Sequence, residues 1–287
     1  VWKFAGTPIT NGMEKAGAGP SQELVDSYEM IDGTQPILGY SDAEHLRPIL
    51  NTASSYDPKN PYANRDPRFY ASVYYNGTIR YLDQPNGDVV ETYVGGNCGI
   101  SDKVTDIRYT RTGYYMRKFN NFKSGIGQDA DGLMRIFRLA ELYLNFAEAA
   151  YQAVGPDGQV VSKVGAEALS ARDAVNKIRV RAGIPALSSG MSKDSFEKRY
   201  RNERRVELAF EEHRFFDVRR WKILNETDDF VTGMKIVKEE DGTFTYNRIK
   251  LASRGTNADK YLLYPIKQTE VAKMLKHTGA NWQNPGW

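Results

Sequence analysis

The sequence predicts a mostly α-helical protein with a loop-rich lobe that carries short β-hairpins. Three observations lead there. From Leu133 onward apolar residues recur at helical spacing in three long segments. Before that, Gly and Pro interrupt the chain every few residues, as in GMEKAGAGP, DPKNPYANRDP, DQPNGD and VGGNCG. Short runs of β-branched and aromatic residues flank turn dipeptides such as Asn76-Gly77. We therefore divide the chain into a loop-rich lobe, 1–130, and a helical region, 131–287, packed together as one domain. A length of 287 residues with 40% hydrophobic content suffices for that.

In chain order, SQELVDSYE (21–29) suits a short helix capped by Ser21, although the capping-box position holds Leu24 and not Glu or Gln. FYASVYYNGTIRYL (69–82) reads as a hairpin turning at Asn76-Gly77, and Val89–Val94 as another short strand. LMRIFRLAELYLNFAEAAYQAV (133–154) is a helix ended by Gly155-Pro156. It places Ile136, Leu139, Ala140, Tyr143, Ala147, Ala150 and Val154 on one face, with Leu142, Phe146, Ala149 and Ala153 on a second. A further helix runs from Ala166 to Arg181, with Ala168, Ala171, Val175, Ile178 and Ala182 in register, closed by Gly183 and Pro185. The next starts near Ser192 or Asp194 and continues through RNERRVELAFEEHRFFDVRRW to Trp221. A hairpin follows (Phe230–Val237, Thr243–Leu251), then a short helix near Gln268–Lys276. Tyr143, Val175 and Val206 stand about one helix-turn-helix repeat apart, as in TPR units.

The segment 201–221 contains no Gly or Pro, so one unbroken helix is expected. Val206, Ala209, Phe210, His213, Asp217 and Trp221 share one face, while Leu208 and Phe215 lie roughly opposite. A helix apolar on several sides is buried, and its charges must be paired. Glu211 with Arg214 and Asp217 with Arg220 have suitable spacing. Nearly every arginine has an acid within one turn, which argues against phosphate binding and so against nucleic acid.

Composition narrows the rest. Net charge is +3, and 18 tyrosines offer apolar faces with hydroxyls, suited to polar ligands. The single cysteine, Cys98, excludes an internal disulfide and a cysteine-rich zinc site. His45, His213 and His277 lack metal-ligand spacing. Hard oxygen donors gather at Asp57, Asn60, Asn64 and Asp66, without EF-hand spacing, and proline-constrained turns account for them, so no metal or cofactor is expected. Asp228-Asp229 and Glu239-Glu240-Asp241 are adjacent acids in an exposed hairpin, unlike the separated carboxylates of a glycosidase. Cys98 as a nucleophile would need a His partner that sequence does not place, and VGGNCG lacks the Lys-Ser/Thr of a phosphate loop. No enzyme is expected. No run of about 18 apolar residues could span a membrane as a helix. Val1 is not an initiator methionine and no signal peptide precedes it, so VWKFAGTP reads as the interior of a longer, processed or truncated chain.

Three segments carry a family resemblance: RLAELYLNFAEAAYQ with AVNKIRVRAGIPAL, ERRVELAFEEHRFFDVRRW, and YLLYPIKQTEV with the ending NWQNPGW. With YEMIDGTQPI, YDPKNPYANRDPRFYASVYYNGTIR and TRTGYYMRKF upstream, they resemble the SusD/RagB family of outer-membrane glycan-binding lipoproteins over nearly the whole chain. The resemblance implies TPR-like helix pairs beside an irregular lobe. It implies capture of oligosaccharide or polysaccharide without cleavage, and a SusC-like TonB-dependent outer-membrane barrel as partner, over which the protein sits as a lid. It also implies attachment to the extracellular face of the outer membrane through an N-terminal lipid anchor, which this chain lacks together with part of the helical superhelix. Cys98 is internal and is not the lipidation site. Arg204, Glu207, Arg214, Asp217, Arg219, Arg220 and Trp221 are expected to form a buried network, and Asn284–Trp287 a packed tail.

Ligand contacts vary within the family and have to come from the residues. Sugars are held by aromatic faces and planar polar side chains on exposed loops. The region 74–97 offers Tyr75, Arg80, Tyr81, Asp83, Tyr93 and Asn97 as candidate ligand-binding residues. The alternative function is a TPR-like scaffold or adaptor that binds protein or peptide partners.

Overall fold

The computed structural model of the chain describes residues 19–80, 89–100, 109–119, 136–161, 167–227, 229–255 and 259–287. Helix α1, Gln22–Ser27, starts as expected at Ser21, whose hydroxyl accepts from the Leu24 amide. Strands β1, Ile37–Tyr40, and β2, Pro48–Leu50, form a small antiparallel pair. Helix α2, Pro67–Ser72, has Pro67 in its first turn, and the capping Asp66 carboxylate accepts from the Arg68 amide at 2.8 Å.

The hairpin expected across 69–82 does not form. Asp66 and Pro67 start a helix, which claims the first half of that segment. Strand β3, Val73–Tyr74, then pairs with β6, Tyr115–Met116, while β4, Thr78–Ile79, pairs with β5, Val89–Val90. Asn76-Gly77 is still a turn, with Gly77 at φ 91°, but it is tied forward: the Gly77 amide donates to the Val90 carbonyl and the Thr92 amide to Asn76 Oδ1. Only Val89–Val90 of the strand expected over 89–94 is a strand.

The helical region holds α3, Leu139–Val154, the pair β7, Gln159–Val160, and β8, Leu169–Ser170, then α4, Ala171–Ala182, and α5, Lys193–Glu207. Ser170 and Ser192 cap α4 and α5, and Gly183 closes α4 in the left-handed region at φ 83°. Helix α3 begins at Leu139, later than expected, and residues 133–135 lie outside the described residues; α4 begins after Ser170, which is spent on β8. The buried face of α3 is Ala140, Leu144, Ala147, Ala150 and Tyr151. Ile136, Leu139 and Val154, placed with the core in sequence, are instead exposed. Small residues let α3 approach α4, whose Ala171, Ala174, Val175 and Ile178 complete a core with Phe196 and Tyr200 of α5.

The expected unbroken helix to Trp221 is two helices. After α5, Phe210 and Glu212 take left-handed φ of 64° and 65°, and α6 runs from His213 to Arg220. Cations gather where α5 exposes its last carbonyls: Lys118 Nζ donates to the Glu207 and Ala209 carbonyls at 3.1 and 3.0 Å, and Arg138 Nη2 to Glu207 O at 2.7 Å. Glu211 pairs with Lys118 and Arg138, where Arg214 had been expected. Asp217 does pair with Arg220, and also with Arg204. Trp221 Nε1 donates to Glu148 at 2.8 Å.

Helix α7, Leu224–Thr227, leads to the hairpin of β9, Phe230–Lys238, and β10, Phe244–Ser253, close to where sequence set it. A 3₁₀ turn, Asp259–Leu262, precedes α8, Gln268–Thr278. The C-terminal tail packs on that turn, where Trp287 Nε1 donates to the Lys260 and Leu263 carbonyls. Among the described residues no helix is long and apolar enough to cross a membrane.

A second core joins α1, α2, β3, β9 and the end of α5 through Val25, Tyr28, Phe69, Val73, Val206, Met234 and Ile236. Buried charges stitch it to the first. Arg179 of α4 pairs with Glu29 and Glu203; Arg68 of α2 pairs with Asp66, Glu203 and Glu207; Arg138 pairs with Glu207 and Glu211.

Candidate functional site

Beside the second core an aromatic-lined cleft of about 510 Å³ opens among the 60–63 loop, the Asn76-Gly77 turn, the 89–93 segment and the β9–β10 hairpin. Its size lies in the range of small-molecule sites. Tyr62, Tyr70 and Tyr75 form one wall, with Tyr75 centred 4.7 Å from Tyr62 and 6.0 Å from Tyr70. Tyr246 stands 5.6 Å from Tyr62, edge to face. Tyr93 lies 5.6 Å from Phe244, with Lys238 Nζ 5.3 Å from the Tyr93 ring centre. Asn60, Asn76, Glu91 and Lys238 add polar groups.

Each wall is held from behind. The buried Arg65 donates to the carbonyls of Pro61, Val25 and Tyr28, which fixes the 61–65 loop to α1. Tyr70 accepts from the Arg65 amide and donates to Tyr62 O. A buried relay supports the Tyr62 ring: Tyr62 donates to Tyr114, Tyr114 to Gln22, and Gln22 to Asp26, which Arg248 of β10 grips through both oxygens. The Val94 amide donates to Ile236 O and so docks the Tyr93 segment on β9.

Burial pushes the Tyr62, Tyr75, Tyr93 and Tyr246 hydroxyls above their ordinary range, with neighbouring tyrosines adding to the shift at Tyr62 and Tyr75 and Glu91 adding to it at Tyr93. These phenols stay neutral at physiological pH, able both to donate and to accept. The cleft thus offers flat apolar faces rimmed by hydroxyl, amide, carboxylate and ammonium groups. That combination suits a ring with a C–H face and polar substituents. Glu91 is the only acid lining it among the described residues.

The sequence candidates scatter over this geometry. Tyr75 and Tyr93 both line the cleft. Arg80 is buried, 6% exposed, and does not line it. Asn97 is exposed, but its side chain ties the loop together, accepting from the Glu91 amide at 3.0 Å and donating to Val89 O at 2.8 Å. Tyr81 and Asp83 lie outside the described residues. Tyr62, Tyr70, Lys238, Phe244 and Tyr246 were missed. The aromatics of PYANRDPRFY beside asparagine carried a signal, whereas the hairpin residues come from far along the chain and only folding brings them in.

The rival sites resolve into local structure. Asp57 Oδ1 accepts from the Lys59 amide, and Asp66 is spent on Arg68 and the α2 cap. Asp241 accepts from the Thr243 amide and hydroxyl at the hairpin tip. Cys98 is buried, and Asp228 lies outside the described residues.

The sequence model of the SusD family matches residues 4–287. A crystal structure of a SusD-like protein from Bacteroides fragilis aligns with TM-score 0.70 at 32% identity, over 94% of this chain and 47% of that one. A SusD-like carbohydrate binding protein, also from Bacteroides fragilis, aligns with TM-score 0.56 at 23% identity, over 93% of this chain and 50% of that one. The chain spans about half the length of these solved structures. No curated protein matches it.

Proposed function

The chain belongs to the SusD family, and from that premise we propose that it captures extracellular glycans without cleaving them, for uptake by a SusC-like TonB-dependent barrel over which it acts as a lid. On this reading the longer protein is lipid-anchored at the extracellular face of the outer membrane. The observation that carries the proposal is the aromatic cleft, which Tyr75, Tyr93 and Tyr246 line beside Asn60, Asn76, Glu91 and Lys238. A related SusD-like protein is described as carbohydrate binding. Hydrolysis would need two carboxylates across a bond, and Glu91 stands without a second acid among the described lining residues. Of the sequence candidates, Tyr75 and Tyr93 remain our proposed ligand contacts.

Calorimetric titration against a panel of neutral oligosaccharides tests this. Binding by the chain, lost in Tyr75→Ala and Tyr93→Ala while the fold persists, is the expected result. Failure with every glycan while a partner protein still co-purifies would favour the adaptor reading.

A further inference from the structure

A second, smaller cleft of about 200 Å³ lies among the start of α1, the α5–α6 break and the base of the β9–β10 hairpin. Arg205 reaches it from the last turn of α5, Arg214 from the first turn of α6, and Arg254 from just beyond β10. Phe210, Phe230 and Leu24 give it an apolar lining.

Its charge is unbalanced at Arg205 and Arg254. Among the described residues Glu23 is the one acid lining it, and that carboxylate is already engaged: it accepts from the Thr232 amide at 3.1 Å and hydroxyl at 2.6 Å, and faces His45 Nδ1 at 3.4 Å. Arg205 and Arg254 form no ion pair among the described residues, in a protein whose other core-facing arginines are nearly all matched to acids. Arg205 is half-buried, so its charge is not freely hydrated. Phe210 sits on the cleft wall at φ 64°, in a region that bulky residues avoid. Strained backbone of this kind is often held in place at binding sites.

We propose that this cleft is an acid-recognising subsite that takes one hexuronate unit of a glycan. The sugar carboxylate would lie on the Arg205 and Arg254 guanidinium groups, and its C–H face against Phe210 and Phe230. A guanidinium fork matches the two oxygens of a carboxylate. The cleft has room for one ring and not for a longer chain segment, which favours a terminal or side-branch uronate. The charge imbalance is independent of the aromatic cleft; the choice of a sugar acid over another carboxylate rests on the glycan-binding reading.

The test is calorimetry with a galacturonate oligosaccharide, the neutral galactose oligosaccharide of equal length, and acetate at matched ionic strength. The wild type, Arg254→Gln and Arg205→Gln/Arg254→Gln are compared, with circular dichroism confirming that each folds. The expected result is uronate binding weakened about tenfold in the single variant and further in the double, with any neutral-sugar binding unchanged. Tyr75→Ala should do the reverse to the neutral sugar. Uronate affinity equal in wild type and double variant, or no stronger than that of acetate, would overturn the inference. A wild type that binds the uronate but no neutral sugar would sink the aromatic-cleft reading and leave this one standing. Because Arg254 is exposed, its single variant decides the matter even if the double variant misfolds.

Discussion

The Arg204 guanidinium donates to the Asp217 carboxylate at 2.7 Å, both side chains being nearly buried. Thirteen residues along a straight helix are about 20 Å apart, so this contact exists only because the chain folds back after Glu207. Arg204 also donates to Asn145 on α3, which makes it the pin between three helices. Asp217→Ala leaves a buried guanidinium without its acid and should destabilise the protein by about 3 kcal/mol or more. Asp217→Asn keeps an acceptor and should cost less. Urea titration of the two variants orders them; equal midpoints would show that charge at this site is immaterial.

The same turn carries a cost that can be relieved. Glu212 is exposed, makes no capping hydrogen bond, and holds φ of 65°. Glu212→Gly should raise stability by about 0.5–1 kcal/mol, since glycine adopts that conformation freely and little packing is lost. A melting temperature that falls would show that the Glu212 side chain does more than occupy the turn.

Glu207 predicts an acid response. Burial pushes its carboxyl up, but the hydrogen bond from Arg138 and the charges of Arg68, Arg138 and Arg181 outweigh burial and hold it down to about 2. In the unfolded chain it titrates in the ordinary glutamate range, near 4.5. Its stabilising contribution is therefore complete above about pH 4.5 and disappears as pH falls toward 2. Urea midpoints measured from pH 6 down to pH 3 should decline, and Glu207→Gln should flatten that decline by roughly one proton. The variant should also be less stable at pH 7.

Gly113 marks where two backbones nearly touch. The Met234 amide donates to Thr112 O at 2.8 Å, and a Cβ on Gly113, itself at φ 82°, would stand 2.1 Å from Met234 O. Gly113→Ala should cost roughly 3 kcal/mol or more, because only backbone movement could make room. It should also weaken the proposed glycan binding, since β9 carries Lys238 into the cleft. A soluble, wild-type-stable alanine variant would refute the close approach.

For the aromatic cleft, Tyr246→Ala should weaken binding of a neutral oligosaccharide by roughly 1–2 kcal/mol, about five- to thirtyfold. Tyr246→Phe should lose less if the ring face dominates. Calorimetry separates them, and an unchanged affinity in Tyr246→Ala would remove that ring from the site.

The fold was largely legible where periodicity and punctuation agreed: Ser21, Ser192, Gly155 and Gly183 stand at helix ends, and the β9–β10 hairpin lies close to its expected span. Sequence failed where tertiary contacts overrode local preference. Nothing in LAFEEHR forbids a continuous helix; the break is stabilised by Lys118 and Arg138, both remote in sequence. Asn76-Gly77 signalled its turn, yet the strands around it pair elsewhere because Pro67 starts a helix. The cleft was half visible for a similar reason. Tyr75 and Tyr93 stood out on loops, but Tyr246 and Phe244 look like ordinary alternating strand residues until the hairpin brings them to the cleft.

The turn between α5 and α6 also sets a counting rule. Five residues separate Glu207 from His213, and one more or one fewer would redirect α6 and everything after it. Asp217 would then miss Arg204, and Trp221 would miss Glu148. The tip of the β9–β10 hairpin faces solvent and can lengthen at little cost. Natural variants of this chain should therefore differ in length at 239–242 and keep it constant at 208–212, whatever residues fill that turn.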